Sequence, residues 1–376
     1  MVRILLILLL LSLSTKLLSA VADPSTAEAL FVLGDSSASC NLSPLHFSVP
    51  FCNTGLLPNL IAERMGLPEL PLFDQSNKTA KSLAAGVNFA SDPGKILSGG
   101  GIGGVFQLHS LSQQVRQVTE TLQIIRLELG PAAASHIVSS ALFLLSFGKD
   151  DYTSLLAAGA NPDPKRGRRG FSRILASEMI RAVQDLYDGG VRRVAVMAVA
   201  PLGCAPRVVL EAYNVLGSHN CVDEANEIIA RYNVKLSAEL EKLSSSLPDA
   251  KFVFCDVYAG MMEIIANPLS YEQTNKPNVF YVALSQLNSI AKFQGLGGLT
   301  GFENVRDACC GVGPFGAMAG CLFKEMACAE PQKHIWWDLY SPTKAVNEVL
   351  ANWSWFESDM HICKPVSLQR LMQPLS

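Results

Sequence analysis

The residues best placed to do chemistry lie near the start of the chain, in Gly34-Asp35-Ser36, directly after the apolar run Leu30-Phe31-Val32-Leu33. A serine at the end of a buried strand, on a turn of small residues, is where a hydrolase exposes a nucleophile. The chemistry that follows is acyl transfer from an ester. It requires a base to take the hydroxyl proton, a carboxylate to orient that base, and donors to hold the oxyanion.

Such a serine must be carried by a sheet, and the pattern of the chain supplies one. Phe31 to Leu33 reads as a strand, as do Ala141 to Ser146, Arg193 to Val199 and Lys251 to Val257. Between them, Leu56 to Met65, Leu111 to Leu129, Ile174 to Tyr187, Cys221 to Leu247 and Gly260 to Ile265 have helical spacing. In the helix 111–129 the apolar face is read as Val115, Val118, Leu122, Ile125 and Leu129, with Gly130-Pro131 as the stop. Apolar strands alternating with amphipathic helices predict an α/β fold, a mostly parallel sheet covered on both faces. No repeat or low-complexity tract divides the chain, so one domain is expected over residues 23–376.

The 376 residues are 49% apolar and 17% charged, a globular composition. With a formal charge of -3, nothing suggests the basic face that a nucleic-acid partner requires, and no such partner is expected. Residues 1–22 read as a secretory signal: Arg3, the apolar run Ile4 to Leu11, and Ala20-Val21-Ala22 before Asp23. The run is too short to span a membrane comfortably and is followed by Ser12, Ser14 and Lys16. The chain has ten cysteines, and in an exported protein an even count favours disulfides. The four between 309 and 328 also suit a zinc cluster by spacing, but the compartment and the lack of histidine among them argue against metal. Glycosylation sequons begin at Asn41, Asn77 and Asn352.

An ordered set of segments resembles the plant secreted GDSL-type esterases and lipases of the SGNH hydrolase superfamily. It comprises Phe31 to Ser36, Leu60 to Glu63, Gly86 to Ser91, Leu142 to Gly148 with Asp151-Tyr152, and Pro201 to Pro206. Further on come Asp256-Val257-Tyr258, Ala308 to Gly311, Trp337-Asp338, and Pro342-Thr343 with Ala345. The resemblance implies a three-layer α/β/α sandwich of the SGNH/flavodoxin-like kind and ester cleavage through an acyl-enzyme without metal or organic cofactor. It also implies a small-molecule ester or lipid as partner, a cell-wall or apoplastic location, and a Cys204–Cys221 pair. A monomer is expected.

Carried over residue by residue, the resemblance makes Ser36 the nucleophile and its backbone N–H one oxyanion donor. Asp338 becomes the acid that orients the base, and it also suits a helix N-cap near Pro342; His334 to Trp337 before it reads as a strand. Three positions depart from the pattern. Ser341 stands where the family has its histidine, and a hydroxyl is no base near neutral pH. Asp150, in Gly148-Lys149-Asp150-Asp151, replaces the oxyanion asparagine, and an ionised carboxylate repels a developing oxyanion. In the block Asp92-Pro93-Gly94-Lys95, Pro93 has no N–H, so Gly94 donates only if the backbone shifts.

The histidines offer no replacement by position. His334 lies about 13 Å from Asp338 along an extended chain. His46, His109, His136, His219 and His361 occupy places without a family role, and only the fold decides whether one approaches Ser36. The block between Ser36 and Phe51 is short, and residues 272–300 look inserted, either as a translated intron or as a surface loop. The resulting expectation is an ester hydrolase by lineage with impaired catalysis. The alternatives are a pseudoenzyme binding a lipid, acyl or glycan ligand in the old cleft, and a poorly folding product of a decaying gene.

Overall fold

The structure, a computed structural model, describes residues 29–39, 55–76, 78–97, 109–157, 167–271, 301–321 and 323–373. The expected leader, the sequons at Asn41 and Asn77, His46, Cys40, Cys52 and the segment 272–300 lie outside the described residues.

Six strands form the central sheet: β1 (Leu30–Gly34), β2 (Gly86–Asn88), β3 (Leu142–Ser146), β4 (Arg193–Met197), β5 (Lys251–Cys255) and β6 (Cys363–Lys364). Their spatial order is β6-β5-β4-β3-β1-β2, and all pairs are parallel except β5 with β6. β1 and β4 are buried at every residue, which is why they read as unbroken apolar runs rather than as alternation.

The principal helices are α1 (Leu57–Arg64), α2 (Leu111–Leu129), α3 (Lys149–Ala157), α4 (Gly167–Asp188), α5 (Pro206–Leu216), α6 (Asp223–Ser246), α7 (Val257–Ala266) and α8 (Lys344–Trp355). α2, α4 and α6 pack together in one layer, and α1, α7 and α8 in the other. The three-layer α/β/α expectation therefore holds.

Helix α2 has the predicted bounds. Ser110 and Gln113 form a capping box at its start, and Gly130 ends it. Its buried stripe is Leu111, Gln114, Val118, Thr121 and Ile125, and Leu129, expected inside, is 45% exposed. The stripe is turned by one position because Gln114 reaches inward to the end of β1. The Gln114 Oε1 accepts from Gly34 N at 2.8 Å, and its Nε2 donates to Gly34 O at 2.8 Å.

His334 to Trp337 forms no strand. It makes isolated bridges, His334 to Asn304 and Trp336 to Pro342. The chain reverses at once after Trp337, whose N–H donates to Ser341 O, so no ladder extends. The helix N-cap beyond it is Thr343, not Asp338.

Among the described residues, four disulfides close between Cys204 and Cys221, Cys255 and Cys363, Cys309 and Cys328, and Cys310 and Cys321. The four cysteines in the 309–328 segment thus pair among themselves. Cys309, Cys310 and Trp337 form a small apolar cluster apart from the main core.

Candidate active site

β1 lies between β2 and β3, and the connections that leave β1 (to β2) and β3 (to β4) run in opposite directions across the sheet. The crevice at the carboxyl ends of such strands is where open α/β sheets bind ligands. The register sets Gly34 opposite Ser146, which brings the Ser36 turn level with the Gly148–Asp150 turn that follows β3. Asp35 N donates to Ser146 O at 3.0 Å and Ser91 N to Gly34 O at 3.1 Å, joining the ends of all three strands.

Two glycines permit this convergence. Gly148 has φ +111°, and a Cβ there would lie 2.6 Å from Val199 Cγ2. A Cβ on Gly94 would lie 2.9 Å from Gly34 O and 3.0 Å from Asp35 Cα, so only a glycine brings its N–H to the serine turn.

At the centre of the site is the carboxylate of Asp150. Its Oδ1 accepts from Ser36 Oγ at 2.5 Å. Its Oδ2 accepts from Ser36 N at 3.1 Å and from Gly94 N at 2.8 Å. Two backbone donors from different strand ends thus converge on one oxygen, the geometry that holds an oxyanion. Gly94 faces this point without any rearrangement, so the shift expected from its neighbour Pro93 is not needed.

Beneath the turn lies Asp35, completely buried. It accepts from Ser37 N at 2.9 Å and from Asp150 N at 3.3 Å. Burial, and then the nearby charge of Asp150, push its carboxyl up to about 7. Burial likewise raises Asp151 to about 6, against the lowering effect of the Ile96 N–H that it accepts at 3.0 Å.

Asp338 and Ser341 share one turn. Asp338 Oδ1 accepts from Tyr340 N at 2.9 Å and Ser341 N at 2.8 Å, so the carboxylate sits beside residue 341. Ser341 lines the same cleft as Ser36. Its hydroxyl accepts from Lys149 Nζ at 2.9 Å, and the same ammonium reaches Ser36 O at 3.4 Å. Lys149 was not singled out from the sequence, although it sits inside the altered block between Gly148 and Asp150. Gln114 goes unmarked too, since an amide lies outside the apolar face by which the helix 111–129 is recognised.

Among the described residues no histidine borders this cleft. His334 Nδ1 faces Asp307 O at 3.3 Å, His219 packs against Tyr213 and Phe315, His361 lies near Glu357, and His136 is exposed. Asn352 is half-buried, and its Oδ1 accepts from Arg64 at 2.7 Å; Ser354 of the same sequon is fully buried. No group of three or more His, Cys, Asp or Glu suited to a metal occurs among the described residues.

A serine turn at the switch point of a parallel sheet, with backbone N–H groups converging beside it, is the scaffold of an α/β serine hydrolase. The GDSL-like lipase/acylhydrolase family model matches residues 30–354. The chain is 28% identical to the GDSL esterase/lipase At1g71250 of Arabidopsis thaliana, across 93% of this chain and 90% of that protein. It is 27% identical to GDSL esterase/lipase At5g08460, across 85% and 76%, and 28% identical to GDSL esterase/lipase EXL3, across 80% and 74%, both also from Arabidopsis thaliana. The chain belongs to the GDSL-like lipase/acylhydrolase family.

Proposed function

We propose that this protein is an exported member of its family whose ester-hydrolase site is catalytically impaired. Ser36 keeps the nucleophile's position and Asp338 that of the orienting acid, while Ser341 and Asp150 replace the base and the oxyanion amide. The observation that carries the reading is the placement of the Asp150 carboxylate, which accepts both backbone donors and the Ser36 hydroxyl.

An anion already held at that point excludes a second one. The tetrahedral oxyanion would have to displace Asp150 or form against its charge. By chemical type a carboxylate is a weaker base than the imidazole it would have to stand in for. Loss of a base costs about 10⁴-fold or more in serine hydrolases, and loss of one oxyanion donor about 10²–10³-fold.

Export is supported by the leader-like sequence of residues 1–22 and by the four disulfides. Among the described residues no helix is long and apolar enough to cross a membrane. A monomer of one domain, with 272–300 as an insertion, completes the proposal.

A fluorophosphonate probe tests it. The purified protein is expected to label poorly at Ser36, and the Asp150→Asn, Ser341→His double variant to label readily. Strong labelling of the unmodified protein, abolished by Ser36→Ala, would refute impairment.

A further inference from the structure

Within the cleft, one charged side chain meets an apolar slot. Lys149 Nζ stands at the rim, and among the described residues its two hydrogen-bond partners are both neutral oxygens, Ser341 Oγ and Ser36 O. The same cleft is lined by Leu57, Met197, Leu202, Val257, Met261 and Leu350. The enclosed space is about 70 Å³, less than half of the roughly 150 Å³ that holds a benzene in an engineered cavity. It therefore suits the first few methylenes of an unbranched chain rather than a ring.

We infer that this cleft binds an alkyl carboxylate, with the ligand's carboxylate on Lys149 and Ser341 and its chain in the slot. The inference rests on the reading of an impaired hydrolase, because Asp150 fills the oxyanion position and leaves the anion only the Lys149 side of the cleft. The donors are suited to the task. The Ser341 hydroxyl accepts from Lys149, which leaves its own proton for a carboxylate oxygen. An ammonium has three protons and needs no fixed direction. Charge-assisted hydrogen bonds are shorter and about twice as strong as neutral ones, so the acid should be preferred to an uncharged compound of the same chain.

Calorimetric titration with octanoate and with 1-octanol tests this. Neither contains an ester bond, so turnover does not enter the readout. Octanoate is expected to bind about tenfold or more tightly than octanol, the value of one charge-assisted contact. That preference should vanish in Lys149→Met and weaken in Ser341→Ala. Its salt dependence in the unmodified protein gives a second reading that needs no variant: octanoate binding should weaken with ionic strength while octanol binding does not.

Equal affinity for acid and alcohol, a preference that survives Lys149→Met in a folded protein, or no binding of either compound would overturn the inference. An efficient hydrolase that nevertheless prefers octanoate would refute the impaired reading alone. An inactive protein that does not discriminate would refute only the carboxylate site.

Discussion

Ser36 and Asp150 are joined twice, the serine hydroxyl donating to Oδ1 at 2.5 Å and the serine N–H donating to Oδ2 at 3.1 Å. In the function proposed above, Asp150 is an internal occupant of the oxyanion position. Its carboxylate holds the Ser36 hydroxyl and the backbone N–H groups of Ser36 and Gly94 together.

Asp150→Asn alone exchanges the occupant for a donor but provides no base, so ester hydrolysis should rise by less than the roughly 10²–10³-fold that such a donor contributes when a base is present. Adding Ser341→His places an imidazole beside Asp338, whose carboxylate is already held against residue 341. The double variant should exceed the unmodified protein by about 10³-fold or more in kcat/KM on a p-nitrophenyl ester. A further Ser36→Ala change should return it to background. A gain that survives the loss of Ser36 would show that the route does not pass through the serine.

Stability should fall as pH rises from about 4 to 7. The Asp35 carboxyl is raised to about 7 in the folded protein, above the ordinary 3.8. In that window the unfolded chain has released the proton and the folded chain keeps it, so raising pH favours unfolding. The effect of Asp35 is up to about 4 kcal/mol. Asp151, raised to about 6, acts in the same direction. Thermal melting across this range should show Tm decreasing with pH, and Asp35→Asn should flatten the slope.

Gly94→Ala should destabilise the protein by about 1–3 kcal/mol, because the added methyl meets backbone atoms of Gly34, Asp35 and Ser91 at 2.9–3.0 Å. Relief requires this strand end to withdraw, which breaks the Gly94 N–H contact with Asp150. Denaturant unfolding measures the loss. In the Asp150→Asn, Ser341→His background the same change should lower kcat more than it raises KM, since the donor acts on the oxyanion.

Replacing Cys309 and Cys328 by serine should cost about 2–4 kcal/mol. Cys309 N donates to Trp336 O and Cys310 N to Trp337 O, so this disulfide-bonded segment also supports the Asp338–Ser341 turn. Tm should drop, and limited proteolysis should cut faster between residues 301 and 340 than in the unmodified protein.

Much of this was legible in the chain. Strands buried on both faces must be uniformly apolar, so β1, β3, β4 and β5 stand out, and with the helices between them they imply the layered fold. The serine turn and the substitutions at positions 150 and 341 were equally readable, since each changes which atoms are present to donate or accept a proton. What the substituted groups do could not be read this way. That Asp150 turns back onto Ser36 and Gly94, that Gln114 clamps Gly34 from 80 residues away, and that Lys149 reaches Ser341 across 192 residues all depend on strand ends brought level by the β1–β3 register. Local patterning records which residues face a core. It carries no information about the direction of a hydrogen bond between distant segments, because that direction is decided only when packing brings their backbones within about 3 Å of each other.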